Sequence, residues 1–183
     1  MALPFPHGAG STTITSKQGR IVSVRHITAA DASLLIDFFH AISSETRRLR
    51  FHLALPNYPD EVLQREATRL SDLDPQWAAA LIATIPENGI QRAIAVARLA
   101  VDPQEPSIVE SAITVRDDYQ GEGIGTVLFD LLVQVAIVRG HTTMRTFSLA
   151  ENEAVHRLIK RLGLPYTSHT SQGETTTIIS LRD

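Results

Sequence analysis

The chain holds no cysteine in 183 residues. Disulfides, zinc–thiolate centres and a cysteine nucleophile are excluded together. Neither sign of charge dominates: 17 Lys and Arg face 20 Asp and Glu, a net charge of −3. That balance lacks the basic footprint of a nucleic-acid-binding surface, so nucleic acid is not an expected partner. Long apolar runs are also missing. The longest, Val127 to Val138, is interrupted by Asp130 and Gln134 and is too short to cross a bilayer. The first residues, Met1-Ala2-Leu3-Pro4-Phe5-Pro6, have neither a basic region nor an apolar core, unlike a signal peptide. The expectation is a cytoplasmic protein without a membrane partner. Seven histidines show no H-x-x-x-H spacing, and no metal site is expected.

What is present suffices for one core. Hydrophobic residues make up 43% of the chain, a globular proportion, and the length fits a single domain. Residues 1–19 are rich in Gly, Ser and Thr and read as a flexible or loosely docked arm, leaving 20–183 as the domain. Arg20 to Ile27 alternates and predicts a first strand. Thr28 with Asp31 resembles a capping pair that opens a helix through Ile42. Ser43 caps a second short helix to Phe51, and Leu53 to Tyr58 is a loop. Pro59-Asp60-Glu61 starts a third helix, to about Leu70. Trp77 to Ile85 and Ala93 to Val101 form a hairpin around Glu87-Asn88-Gly89, with Trp77 assigned to core or sheet packing. Ile108 to Val115 is the next strand. After it, Ile124 to Val138 is a mostly apolar helix whose polar positions, Thr126, Asp130 and Gln134, form one narrow stripe, as expected of a helix buried against a sheet. Thr143 to Leu149, a helix from Asn152 to Leu162, and a hairpin of Tyr166 to His169 with Thr175 to Leu181 complete the chain.

The segment joining the strand that ends at Val115 to the helix that begins at Ile124 carries the chemistry. It reads Arg116-Asp117-Asp118-Tyr119-Gln120-Gly121-Glu122-Gly123-Ile124-Gly125-Thr126. Glycine allows φ > 0 and close approach of a ligand to the main chain. The first turn of the helix leaves its N–H groups unpaired and positively polarised. Such a turn suits a phosphate or pyrophosphate. It is not a Walker loop, because Thr126 rather than lysine follows Gly125. Nor is it a dinucleotide fingerprint: glycines at 121, 123 and 125 are one residue short of G-x-G-x-x-G, and the turn falls after several strands.

Gln120, Gly123 and Gly125 match [Gln/Arg]-x-x-Gly-x-[Gly/Ala], and the segment resembles the acetyl-CoA pyrophosphate loop of the GNAT N-acetyltransferase superfamily. The last helix adds to the resemblance. Asn152, Leu158, Arg161, Gly163 and Leu164 fall on positions of the family's Asn-x-x-Ala-x-x-Leu-Tyr-x-Lys-x-Gly-Phe. The resemblance covers residues 20 to 181. It implies an α/β (α+β) GNAT fold: a central mixed, mostly antiparallel sheet of about seven strands flanked by about five helices. It implies acetyl-CoA as co-substrate. Residues Gln120, Gly121, Glu122, Gly123, Ile124, Gly125 and Thr126 would take the pyrophosphate. The backbone of Ile113, Thr114 and Val115 would run beside the pantetheine, with the Val115 N–H polarising the thioester carbonyl. Asn152 would hold the pantetheine arm, a role compatible with capping its helix. The family's tyrosine, the usual acid for the departing thiolate, is replaced by Ile159.

Ser43 to Phe51, Val109 to Asp117 and the tyrosine-free last helix are further similar to the Pat-type protein lysine acetyltransferases. This narrower resemblance implies a lysine on a protein such as an acyl-CoA synthetase as acceptor, and Glu110 as general base. On residue grounds, Glu110 is a carboxylate in the middle of an apolar strand, where burial would raise its pKa and let it accept the amine proton. Glu122 on the loop is expected to face solvent, near a helix N-terminus. Arg47, Arg48 and Arg50, with Arg116 and Arg157, are either solvated or contact CoA phosphates or an acidic target. The cyclic-nucleotide-binding and synthetase-like domains of that subgroup have no counterpart within 183 residues. A small-molecule amine acetyltransferase and a non-catalytic acyl-CoA-binding module remain the alternatives, as a monomer or homodimer.

Overall fold

The computed structural model describes residues 10–52 and 58–182. In chain order these form β1 (Ser11–Thr15), β2 (Ile21–His26), α1 (Ala32–Ala41), α2 (Ser44–Phe51), α3 (Asp60–Ser71), β3 (Ala78–Glu87), β4 (Ile90–Val101), β5 (Ile108–Val115), α4 (Ile124–Val138), β6 (Thr143–Leu149), α5 (Glu153–Arg161), β7 (Tyr166–Ser171) and β8 (Glu174–Ser180). One sheet of eight strands runs β1-β2-β3-β4-β5-β6-β8-β7. Every neighbouring pair is antiparallel except β5 with β6.

Helices cover both faces. One core joins α4 and α5 to the sheet through Val22, Leu81, Ile94, Leu128, Leu132, Met144 and Ile179. The other joins α1 and α3 to it through Ile27, Phe38, Ala67, Ile82 and Val96. With both faces covered, Ala93 to Ala97 of β4 are buried one after another. That is why this strand reads as a continuous apolar run rather than an alternating one. Among the described residues, no helix is long and apolar enough to cross a membrane.

Two readings of the sequence change here. The stretch assigned to a loose arm contains β1, an edge strand paired with β2 from Ser11↔Arg25 to Thr15↔Ile21. Its polar Ser-Thr-Thr-Ile-Thr carries no alternating apolar signal, which is why the sequence pattern passes over it. Residues 1–9 and 53–57 lie outside the described part. Trp77 is not in the core: it stands one residue ahead of β3 and is 44% exposed.

The predicted cap at Thr28 is present in a stronger form. The Asp31 carboxylate accepts from the Thr28 N–H (2.8 Å) and takes a two-pronged ion pair from Arg25 (2.7 Å each). Burial alone would raise the Asp31 pKa, but the hydrogen bonds from Arg25 and Thr28 outweigh it and hold the carboxyl below its ordinary value. A folded pKa below the unfolded one gives stability above about pH 3.9, lost as pH falls through the lower folded value. Asp31→Asn should therefore cost about 3 kcal/mol near neutral pH, the lower end for a broken buried pair. The gap in Tm between variant and wild type should close below about pH 3.9 in a thermal melt series.

Candidate active site

β5 and β6 are hydrogen-bonded only over Ile108 to Ser111 and Thr143 to Thr146. Past that point they part, and the Ser111 and Thr146 hydroxyls meet at 2.5 Å where the opening begins. The parted ends border a cavity of about 430 Å³. Its walls include Ile113 and Val115 of β5, Phe147 of β6, Thr46 and Leu49 of α2, and Asn152 and Leu158 at α5.

Main-chain direction decides which strand residues can serve a ligand. The Arg116 N–H bonds to the Ile94 carbonyl, so it points toward β4. By the alternation of a strand, Val115 and Ile113 then turn their N–H and C=O toward the gap. The Val115 carbonyl accepts from Gln120 Nε2 at 3.0 Å. Thr114 turns its peptide groups toward β4, opposite Val96, and meets the cavity with its side chain instead. So two of the three expected strand residues offer main chain to a ligand, and Thr114 does not.

The gap ends at the glycine loop. After a short turn at Asp117–Tyr119, Gly121 and Gly123 take φ of +78° and +86°, and Gly123 is the N-cap of α4. Both conformations are left-handed, where a side chain is strained. The first helical bond runs from the Val127 N–H to the Gly123 carbonyl. The N–H groups of Gly121 to Thr126 take no acceptor among the described residues. They form a row of free donors at the positive end of a fifteen-residue helix. Gly125 has a different reason for being glycine. A Cβ there would lie 3.2 Å from Val115 Cγ2, so its absence lets α4 sit close on β5.

The remaining candidates divide. Asn152 is buried, caps α5 through Oδ1 to the Val155 N–H (3.3 Å), and lines the cavity. Its Nδ2 has no acceptor among the described residues and remains available. The Ile124 side chain is core, so it contributes only backbone. Glu122 does not face solvent. It is 2% exposed, accepts from Ser16 Oγ at 2.7 Å, lies 3.4 Å from Arg20 Nε, and its carbonyl binds the Lys17 N–H. Its carboxylate ties the loop to the β1–β2 turn, and only its main chain is left for a ligand. That turn also places Lys17 on the cavity wall, its side chain against Gly123. Sequence reasoning missed Lys17 because it treated residues 1–19 as an arm; the turn signal Ser16-Lys17-Gln18-Gly19 was the available clue.

Glu110 is not buried either. Its side chain is 44% exposed and pairs with Arg145 Nη2 at 3.0 Å. Arg145 also binds Asp102 and lies 3.6 Å from Glu105. One guanidinium therefore serves three carboxylates. Glu110 shares a sheet face with Ala112 and stands where β5 and β6 are still paired, at the closed end of the gap.

Tyr119 lines the cavity but is committed elsewhere. Its hydroxyl donates to Glu87 (2.6 Å), its ring lies between Arg20 and Arg116, and burial with the Glu87 bond raises its pKa. Ile159, at the tyrosine position of the last helix, is core. Arg116 is held by Glu87 and Asp118, and Arg48 by Glu45 and Glu151, so neither is free for a phosphate. Arg157 pairs with Glu153 while lining the cavity, beside Arg161. Asp117 clasps α2 to the loop, accepting from the Ser43 N–H and Oγ (2.8 and 2.6 Å) and from Thr46 Oγ1 (2.7 Å). No cluster of three or more His, Asp or Glu suited to a metal occurs among the described residues.

Residues 44–164 match the Acetyltransferase (GNAT) family. Acetyltransferase PA5475 of Pseudomonas aeruginosa is 32% identical over 145 residues, covering 79% of this chain and 75% of that protein. Acetyltransferase Pat of Mycolicibacterium smegmatis is 35% identical over 77 residues, 42% of this chain and 23% of that longer protein. Among solved structures, the GNAT domain of S. lividans PAT superposes with a TM-score of 0.80 at 22% identity, covering 93% of this chain and 96% of that domain. The cAMP-binding acyltransferase from Mycobacterium smegmatis superposes with a TM-score of 0.63 at 20% identity, and this chain covers 48% of it. The parted strands, the row of free N–H groups and the family match agree: this chain belongs to the GNAT acetyltransferase family, whose members use acetyl-CoA.

Proposed function

We propose that the chain transfers acetyl from acetyl-CoA to a lysine side chain of a protein, an acyl-CoA synthetase being the expected kind of target, with Glu110 as general base. The observation that carries the transfer is the parting of β5 from β6 directly ahead of the donor row at α4. In this reading the pyrophosphate lies on the N–H groups from Gly121 to Thr126, with Lys17 beside it. Pantetheine extends β5 through Ile113 and Val115, and Asn152 Nδ2 holds its far side. The amine nitrogen attacks the thioester carbon. The Val115 N–H stabilises the oxyanion, the C–S bond breaks, and the amine proton passes to Glu110. The thiolate is stable enough to leave near neutral pH, its thiol titrating at about 8.5, and takes its proton from water in place of the missing tyrosine. The lysine target rests on the motifs shared with Pat-type enzymes and on likeness of fold.

A small-molecule amine is the second reading, favoured by an apolar cavity of about 350 Å³ beside the cofactor gap. The two are separated by following free thiol from acetyl-CoA with a purified acyl-CoA synthetase and, in parallel, a panel of polyamines and amino acids. Release with the synthetase, with acetyl-lysine detected by mass spectrometry, supports the first reading. Release with small amines alone replaces it by the second.

A further inference from the structure

The cavity of about 350 Å³ lies on the opposite side of β5 from α4 and α5, beneath α1 and α3. It shares Ala112, Thr114 and Arg50 with the cofactor gap, so the two adjoin. Its outer wall is aromatic. Phe39 stands 6.0 Å from both Phe51 and Tyr58, and Phe38 lies beside them. Its charge is unusual for so apolar a space. Among the described residues, three arginines (Arg50, Arg69 and Arg98) line it against one glutamate, Glu66. Glu66 is already taken by Arg69 at 2.8 Å.

Arg50 and Arg98 are left without a carboxylate among the described residues. Arg98 donates to the Leu70 carbonyl at 2.5 Å, and Arg50 stacks on the Phe51 ring at 5.2 Å. Both are half-buried, and cations in so apolar a setting are ordinarily paired, since an unpaired charge there is costly. Arg98 sits opposite Ala112 on the same sheet face, and Arg50 touches both cavities, so an anion between them would lie next to the reacting end of the gap.

We infer that this cavity is the acceptor subsite and that Arg50 and Arg98 receive a carboxylate carried by the acceptor, close to its reacting amine. The inference rests on the acetyl-transfer reading above and adds the acceptor's chemistry to it. The aromatic wall takes the apolar body, the guanidiniums take the carboxylate, and the amine is presented toward Ala112 and Thr114. Burial lowers the pKa of Arg50; burial, with the charges of Arg50 and Arg69 beside it, lowers that of Arg98 to about 10. Two sources supply this chemistry: a free apolar amino acid, or an acidic side chain next to a target lysine.

The test uses wild-type protein first, so it does not depend on a variant folding. Thiol release from saturating acetyl-CoA is measured with leucine and phenylalanine against their carboxamides, and with lysine peptides bearing glutamate or glutamine beside the lysine. Loss of the carboxylate should lower kcat/KM by about 10- to 100-fold in one arm, and that arm identifies the source. Arg98→Met and Arg50→Met should each raise KM for the carboxylate form by about tenfold or more and abolish the discrimination, with Arg98→Lys intermediate. Calorimetric titration of N-acetyl-leucine and N-acetyl-leucinamide into the CoA-bound protein, together with the two peptides, reads the subsite without turnover. Carboxylate-dependent binding with no thiol release would keep the subsite and sink the transfer reading. Equal rates and equal binding for acid and amide forms in both arms, or no binding of either, would overturn the inference.

Discussion

Glu110→Gln should lower kcat for acetyl transfer by about 10²- to 10⁴-fold, the range for loss of a positioned general base. CoA affinity should stay within about twofold, because Glu110 lies at the closed end of the gap and is absent from the cofactor wall. The size of the effect follows from the acceptor. A lysine titrates near 10.4 and is almost wholly protonated at neutral pH, so an enzyme without a base must wait for the rare free amine. The variant should therefore recover activity as pH rises toward that of the amine, while wild type gains less. A pH–rate profile of both proteins checks this directly. Equal kcat values across the profile would remove Glu110 from the mechanism, and one of the neighbouring carboxylates, Asp102 or Glu105, would become the next to replace. The half-exposed position of Glu110 does not by itself argue against the role, since acceptor binding would cover it.

Gly123→Val should raise KM for acetyl-CoA by about tenfold or more. At φ +86° a side chain costs about 1–2 kcal/mol, and a β-branched one is the least tolerated. The chain can relieve that strain only by rotating the peptide at the N-cap of α4, and rotation turns donors away from the row proposed to face the pyrophosphate. A Cβ at this position also meets the Lys17 side chain at 3.4 Å, which would move a cation from the same place. Each charge-assisted hydrogen bond lost there is worth about 1.5–3 kcal/mol. Isothermal titration with CoA, beside a thermal melt, separates the two consequences: affinity should fall further than stability. Gly121→Ala is the milder comparison. It bears the same left-handed φ, but a Cβ there meets nothing within 4 Å. If Gly123→Val bound CoA as wild type does, the donor row would not be where the pyrophosphate lies.

Much of the fold was legible because it is written locally. The alternation of Val22 and Val24, the continuous run of β4 between two layers, the polar stripe on α4 and the Ser43 and Asn152 caps each depend on residues a few positions apart. The glycine loop was legible for the same reason, since positive φ at Gly121 and Gly123 and the close approach at Gly125 permit little else. β1 was not, because an edge strand of Ser and Thr gains its order from pairing with β2 rather than from a pattern of its own. Glu122 was misread because its partners, Ser16 and Arg20, are about a hundred positions away. Burial of Glu110 was inferred from its apolar neighbours in sequence, yet Arg145 on β6 and open space beside the strand set its surroundings.

By itself, then, the sequence determined the order of elements from β2 onward, the glycine loop and the family, each a matter of short-range periodicity and backbone conformation. Tertiary structure alone decided where β5 leaves β6, which strand residues turn their peptide groups to the gap, that Tyr119 is locked to Glu87, and that Arg50 and Arg98, 48 positions apart, share one cavity. These depend on contacts between distant segments, whose formation is governed by how two sheet faces are covered rather than by any local preference of the chain.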